Sequence, residues 1–393
     1  MTFPFTEWQG VGDHPELARM RREDPVPLVP IASGGTAYLA TRHADVRRVL
    51  MDPVFSRAAA AARQDAAVLT QLSRLPPVLM NLDPPDHTRI RKLVAHAFSA
   101  GAVEALRPVA TRIAAELVDD MIKAGPPADF LHDFARPFPA RVICALLGVS
   151  DVDRHRLRSL MDITLSTGDR AEVGSAFGEI MGLIGDLVAT KRQSPADDLV
   201  SSLIAVRDAG DQLSEPELLY TVLNLCTGGY EPVAGALSNS LLALSPAQLD
   251  RLTADPGLLP GALEELLRYV PVFCSAKERV ALADVELSGV HIPAGSTIIP
   301  VTPSANHDAE AIPDPGHVDL ARTSPHLAFG HGVHRCVAIP LAMMELEIAY
   351  TTVLTRLPGL RPTCSVADLV WKTGLVTVGP TSLPVTWRET PGS

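Results

Sequence analysis

The sequence predicts a mainly α (α+β) protein, with a large helical part and a smaller strand-rich part. A long apolar helix begins at Ser214, where Ser214 and Glu217 form a capping box. After Pro271 the pattern changes to short strands separated by glycine turns, at 280–287, 291–293 and 297–301. Between residues 101 and 210, amphipathic patterns interrupted by prolines and glycine turns predict helices near 102–123, 137–147, 151–165, 171–192 and 197–208.

Composition excludes several classes of protein. The 393 residues are 47% hydrophobic, which is enough for a sizeable core. The net charge of −11 argues against a nucleic-acid surface and against a polybasic membrane anchor. The first ten residues have neither a basic region nor an apolar run, and the five scattered cysteines do not form an even set for disulfides. We therefore expect a cytoplasmic protein without a nucleic-acid or membrane partner.

The first hundred residues contain a helix start that bears on function. Helices are predicted at 15–22 and 43–50, and a short strand at 37–41. Asp83, as an N-cap followed by Pro84, predicts a further helix. This helix places His87 and Arg91 four residues apart and so on one face. Taken alone, such a pair is more often a solvated basic surface than a binding site.

Residues 329–336 form a loop that contains two glycines and places one cysteine just before the start of a helix. Cys336 would lie at the positive end of that helix, which favours its thiolate. A lone thiolate is one of the known axial ligands of heme iron. Two alternatives are open: Cys336 is a buried core residue, or it binds zinc together with His326, His331 and His334.

One charge, Glu231, interrupts the apolar run from Leu218 to Leu244. Polar residues on both sides of it disfavour a membrane span and favour a helix buried in the centre of a domain. A buried lone carboxylate costs up to several kcal/mol unless it is paired or protonated. It is therefore either a structural hydrogen-bonding group or a proton donor beside a reaction site.

The pattern Phe-Gly-x-Gly-x-His-x-Cys at 329–336 resembles the heme-ligand loop of the cytochrome P-450 family. Four further motifs occur in the family's order, so the resemblance extends over essentially the whole chain: His87 with Arg91, Gly229 with Glu231, Glu265 with Arg268, and Arg322. It implies the P-450 fold for residues 1–393 as a single domain, with the helical and β-rich parts around a buried heme b.

The resemblance also assigns roles to particular residues. Cys336 would be the metal ligand, and Glu265, Arg268 and Arg322 would form a structural cluster that braces the loop before it. The cofactor-binding residues would be His87, Arg91, Arg279, Phe329, His334 and Cys336. The substrate pocket would include Leu79, Met80, Asn81, Val233, Phe273, Cys274 and Val376.

The central-helix motif departs from the family's pattern. Gly229 and Glu231 align with it, but Pro232 replaces the threonine that helps to steer protons to oxygen. Proline lacks both a hydroxyl and an N–H, so we expect the carbonyl of Gly228 to lose its helical partner and the helix to kink. The candidate catalytic residues are accordingly Gly229, Glu231 and Pro232. Ala338 also replaces a common glycine, and we expect this change to be tolerated.

By resemblance, the protein is a heme-thiolate monooxygenase that takes electrons from an external ferredoxin and ferredoxin reductase. It would use O₂ to hydroxylate or epoxidise a small natural-product-like substrate in secondary metabolism. Pro232 suggests an alternative, oxidative C–C or C–N coupling or cyclisation without oxygen insertion. A zinc-binding or purely structural helical protein is the alternative of another class.

Overall fold

The computed structural model describes residues 2–5, 10–63, 66–69, 79–149, 156–157, 159–161, 163, 170–209, 213–373 and 376–388. Most of the helix predicted at 151–165 lies outside these residues. The described helices are α1 (Pro15–Glu23), α2 (His43–Met51), α3 (Arg57–Ala62), α4 (Asp86–Ala95), α5 (Ala100–Ala124), α6 (Pro137–Leu147), α7 (Arg170–Gln193), α8 (Leu199–Asp208), α9 (Glu215–Gly228), α10 (Glu231–Ala243), α11 (Pro246–Ala254), α12 (Leu259–Tyr269), α13 (Thr302–Ala305) and α14 (Ile339–Arg356).

The strands form three small sheets. The largest has the order β1-β2-β8-β5-β3, in which β2 and β8 are parallel and the other neighbours are antiparallel. A second sheet has the order β4-β10-β9, and β6 pairs with β7 alone. The strands are β1 (Leu28–Pro30), β2 (Thr36–Ala40), β3 (Phe55–Ser56), β4 (Ala128–Asp129), β5 (Arg279–Ala281), β6 (Val285–Leu287), β7 (Val290–Ile292), β8 (Thr297–Pro300), β9 (Arg361–Pro362) and β10 (Pro384–Thr386).

The predicted mainly helical architecture with a smaller β-rich part is confirmed. The main hydrophobic core lies among the helices, where α14 packs along α5 and also contacts α10 and α12. The predicted capping box at Ser214 with Glu217 is present, and Ser245 with Gln248 forms another. The core therefore places the start of α14, and the cysteine loop before it, beside the central helices.

Two local predictions are wrong. The strand predicted over 280–287 is two strands, because β5 joins the large sheet while β6 turns away to pair with β7. Asp83 does not cap α4, which begins at Asp86 after two consecutive prolines. Its carboxylate instead accepts a hydrogen bond from the N–H of Arg57 at 3.0 Å, at the start of α3. The Asp83 carboxylate thus accepts a hydrogen bond at the start of a helix that is distant in sequence, and not at the start of the helix that follows it.

The predicted kink in the central helix is confirmed and is a complete break. α9 ends at Gly228 and α10 begins at Glu231, with Pro232 in the first turn of α10. Proline is tolerated in a first turn, where its missing N–H costs no helical hydrogen bond. Pro232 therefore divides one long apolar segment into two helices.

One surface helix has an unusual composition. Among the described residues, the segment Ala171–Gln193 of α7 has the length and mean hydropathy (1.3) of a membrane span, and 22% of its most apolar window is buried in the protein. Glu179 and Asp186 lie within the segment, and each acidic residue at the centre of a bilayer costs about 2.5–3.5 kcal/mol. These two carboxylates disfavour a spanning position for α7.

Candidate functional site

Cys336 lies at the end of a loop whose backbone is held by its own hydrogen bonds. The N–H of Cys336 donates to the carbonyl of Phe329 at 2.9 Å, and the N–H of Gly330 donates to Leu327 at 2.9 Å. A single 3-10 turn, Gly332–His334, closes the loop. The loop therefore presents Cys336 in a defined position three residues before α14.

The two glycines of this loop are required for different reasons. Both have positive φ, +68° at Gly330 and +70° at Gly332, which an L side chain rarely adopts. At Gly332 a Cβ would also lie 2.5 Å from the carbonyl oxygen of Leu50, at the end of α2. The second glycine thus allows the loop to pack directly on the backbone of α2.

The surroundings of Cys336 correct one expectation about its thiol. Cys336 is accessible to solvent, but burial by the surrounding protein raises the pKa of its thiol above the ordinary value. A hydrogen bond from the N–H of Ala338 and the charges of Arg91 and Arg335 act in the opposite direction. Desolvation outweighs these groups, so the helix start does not by itself favour the thiolate.

Ala338 is tolerated for a reason visible in its backbone. Its φ is −91°, a conformation that does not require glycine. The N–H that reaches Cys336 is present in alanine as in glycine. The expectation that this replacement is tolerated agrees with the geometry.

The structure brings the predicted basic residues together beside this loop. The rings of His87 and His334 lie 4.3 Å apart, centroid to centroid.

Burial, followed by the charge of Arg279, lowers the pKa of His334 to about 2. Burial, followed by the charge of Arg57, lowers the pKa of Arg279 to about 9. Arg91 lies near enough to both Cys336 and His334 to affect their pKa values. We call His87, Arg91, Arg279 and His334 the basic cluster.

The basic cluster fits an anionic ligand with several acceptor oxygens. Both ring nitrogens of His87, and Nε2 of His334, are buried without a hydrogen-bond partner among the described residues. Buried polar atoms are normally paired, and carboxylates are the usual partners of grouped cations. A heme, which brings two carboxylates and can take a cysteine thiolate as its iron ligand, therefore matches both the basic cluster and Cys336.

The zinc alternative does not fit the same residues. His326 pairs with Glu264 at 2.8 Å, and His331 accepts a hydrogen bond from Arg47 at 3.3 Å. His334 packs on His87 instead. Within the described part of the chain, no group of three or more His, Cys, Asp or Glu side chains is placed to hold a metal ion.

The predicted structural cluster is present and reaches the cysteine loop. Glu265 accepts hydrogen bonds from Arg268 at 2.7 and 2.8 Å and from Arg322 at 3.0 Å. Arg268 also donates to the carbonyl of Asn306 at 2.8 Å, while Oδ1 of Asn306 accepts from the N–H of Leu327 at 2.7 Å. The cluster is thus connected to the loop through one asparagine.

The helix break places the three candidate catalytic residues at the start of α10. A Cβ at Gly229 would lie 2.8 Å from Cδ1 of Ile143, so this glycine allows α6 to pack closely. Glu231 is not a lone carboxylate. Its Oε1 pairs with Nζ of Lys372, and both side chains are only 8% exposed. The burial of Glu231 is therefore compensated by a buried cation from the C-terminal part of the chain.

The predicted pocket residues form two groups. The N–H of Cys274 donates to the carbonyl of Val376 at 2.8 Å, and Phe273 forms an antiparallel bridge with Thr377. Phe273 is 37% exposed, whereas Cys274 is buried at 1% and contributes to a core. Leu79 and Val233 pack in the helical core, Met80 is half-buried, and Asn81 is buried with its side-chain oxygen accepting from Arg57 at 2.7 Å.

Sequence reasoning missed two buried basic residues of the site. Arg57 lies beside the basic cluster and contacts the carbonyl of Glu278, and nothing in the sequence near Ser56 distinguishes it from a surface arginine. Lys372 does carry a signal, since it is an isolated cation directly after the apolar stretch 369–371. A buried lone carboxylate elsewhere requires such a partner.

Comparison with known proteins gives a consistent result over the whole chain. Residues 254–358 match the family model described as Cytochrome P450. The chain is 40% identical over 391 residues to the mycinamicin IV hydroxylase/epoxidase of Micromonospora griseorubida. It is 39% identical over 392 residues to the nocardicin C N-oxygenase of Nocardia uniformis subsp. tsuyamanensis. Each alignment covers 98% of this chain and 98% of the other protein. The crystal structure of HinD with NMFT and NO superposes with a TM-score of 0.92 at 41% identity, over 98% of this chain and 99% of that one.

Proposed function

Because the chain belongs to the cytochrome P450 family, we propose that Cys336 is the axial ligand of its heme iron and that the basic cluster holds the heme carboxylates. The protein is a P450 monooxygenase that uses heme iron, O₂ and a small-molecule substrate. It acts in natural-product metabolism, as its relatives do. The single observation that carries the residue assignment is the accessible Cys336 beside buried ring nitrogens of His87 and His334 that have no hydrogen-bond partner among the described residues.

Oxygen insertion is the reaction favoured for this chain. Similar proteins are named as a hydroxylase/epoxidase and an N-oxygenase, so the coupling alternative that Pro232 suggested is not favoured. We infer a small natural-product-like substrate, of the general kind that mycinamicin IV is for one of the similar proteins. Turnover under isotopically labelled O₂ tests this inference, because label retained in the product shows that oxygen is inserted into the substrate.

The heme, when bound through a thiolate, supplies the activation of O₂. The residues of this chain hold and orient it. The cations of Arg91 and Arg279 would pair with its carboxylates, and His87 and His334 would donate the ring N–H groups that are otherwise unmatched. Ala338 would continue to donate its N–H to the Cys336 sulfur. On the other face, the break before α10 would place Glu231 where a proton can be passed to oxygen.

We further propose heme b as the cofactor and a ferredoxin with its reductase as the electron donors. Exposed Arg47 and Arg335 lie near His331, on the outer side of the cysteine loop, and suit an acidic carrier. Arg89 is less suitable because it already pairs with Glu217. The proposal places the protein in the cytoplasm and treats residues 1–393 as one domain.

The absorption spectrum of the reduced, CO-bound protein tests the assignment of Cys336. We expect the thiolate-ligated heme band in the wild type and its loss in Cys336→Ser. Cys364→Ser is the matched control, because Cys364 is also free but lies elsewhere in the fold, and it should retain the band. A Cys336→Ser variant with an unchanged band would show that another residue binds the iron.

A further inference from the structure

Lys372 belongs to a hairpin that lies against the central helix. Residues 370–372 pair with 379–381: the N–H of Lys372 donates to Gly379 at 3.0 Å, and that of Thr381 donates to Val370 at 2.8 Å. The returning limb pairs with 272–274, since the N–H of Val378 donates to Val272 at 3.0 Å. The hairpin thus carries one wall of the expected substrate pocket.

The hairpin is attached to α10 at two points. At the first residue of the helix, Lys372 pairs with Glu231. Eight residues later, Nδ2 of Asn239 donates to the carbonyls of Val378 at 2.9 Å and Pro271 at 2.6 Å. At 1.5 Å per residue these points lie about 12 Å apart along the helix. Asn239 therefore attaches the hairpin backbone to the helix at a point well away from the ion pair.

The surroundings of the pair explain what Lys372 adds. Pro232 provides no hydroxyl and lies at the break between the two helices, so it cannot carry a proton, whereas the carboxyl of the adjacent Glu231 can. Glu231 is the first residue of α10, and no side-chain hydrogen bond caps that helix start. Without a fixed partner, the carboxylate at this helix start can rotate about its side-chain bonds. Lys372 holds Oε1 and so fixes the rotation of the group, which leaves Oε2 to take up and pass on a proton.

We propose that Lys372 is a positioning residue for proton delivery, which holds Glu231 at the helix break in place of the missing threonine. This inference rests on the proposed function, because it requires a heme on the Glu231 side of α10. The proton moves through Glu231 to the leaving oxygen, and Glu231 is reprotonated from solvent.

Cleavage of cumene hydroperoxide tests the proposal without a known substrate or redox partner. Heterolysis of its O–O bond needs a proton on the leaving oxygen and yields 2-phenyl-2-propanol, whereas homolysis yields a radical that loses methyl to give acetophenone. We expect Lys372→Met to lower the alcohol-to-acetophenone ratio at least three-fold. Lys372→Arg, which keeps the cation, should stay within two-fold of the wild type.

Thermal unfolding of the same variants separates positioning from simple charge compensation. Lys372→Met should lower the midpoint by several degrees because it leaves Glu231 unpaired, and the double variant with Glu231→Gln should recover most of that loss. The double variant should have the product ratio of Glu231→Gln alone, because Lys372 acts only through Glu231. If Lys372→Met loses stability but keeps the wild-type ratio, Lys372 only neutralises a buried charge; if the double variant has a clearly lower ratio than Glu231→Gln alone, Lys372 acts by another route, and either result would overturn the proposal.

The remaining outcomes also decide between the two proposals. If Lys372→Met has the wild-type ratio and the CO-bound heme band, Lys372 has no role in proton delivery, while the proposed function stands. If the wild type itself lacks the band, the proposed function fails and this inference fails with it. Should Lys372→Met not fold, the double variant and Lys372→Arg still provide the comparison.

Discussion

Replacing Gly332 by alanine should destabilise the protein by about 2–5 kcal/mol. The left-handed backbone at φ +70° costs an alanine about 1–2 kcal/mol. The new Cβ would lie 2.5 Å from the carbonyl oxygen of Leu50 and 3.2 Å from Cα of Met51, and backbone atoms cannot move aside as a flexible side chain can. Overpacking of this kind adds about 1–3 kcal/mol. Urea unfolding of the two proteins measures the difference.

Gly330→Ala is the matched control for this prediction. Gly330 has nearly the same φ, +68°, but a Cβ there approaches no protein atom closer than the carbonyl oxygen of His334 at 4.0 Å. We therefore expect only the backbone cost, about 1–2 kcal/mol. Gly332→Ala should also lose bound heme, because the loop must move away from α2. Equal destabilisation by the two variants would refute the contact with Leu50 as the reason for the second glycine.

Two further predictions concern buried charges. Glu345 is buried, and burial alone raises its pKa well above the ordinary value. Above about pH 4.3 the unfolded chain loses this proton while the folded protein keeps it, so stability falls as pH rises towards the folded pKa. Glu345→Gln should remove this loss of stability. The free energy of unfolding of the variant minus that of the wild type, measured in urea, should therefore increase from pH 5 to pH 8. A difference that stays constant with pH would contradict the prediction. Arg268→Ala should cost about 3–5 kcal/mol by leaving Glu265 partly unpaired, whereas Arg19→Ala at an exposed pair should have no measurable effect on the unfolding midpoint.

Local signals in the sequence were sufficient wherever neighbouring residues decide the structure. The capping box at Ser214 is satisfied within one helical turn, and the break at Pro232 follows from a missing N–H. The spacing of Glu265 and Arg268 fixes their pairing on one helix face. In each case the partners are at most a few residues apart, so chain distance and spatial distance agree.

Predictions were wrong where a distant partner competes for the same group. Asp83 has the chemistry of an N-cap for the helix that follows it, but its carboxylate binds the start of α3, 26 residues earlier. The segment 280–287 has the composition of one strand, and it divides because β5 and β6 find different partner strands. A sequence pattern shows which groups can pair, but not which of several partners lies nearest.

The sequence by itself determined the mainly helical class, the cysteine loop and the site of the helix break, because each depends on local backbone chemistry. Tertiary structure decided the environment of those features. It joined Glu231 to Lys372 across 141 residues, brought His87 against His334, and placed Gly332 on the backbone of Leu50. It also raised the pKa of the Cys336 thiol that the helix start alone would lower, since desolvation depends on every group packed around the sulfur.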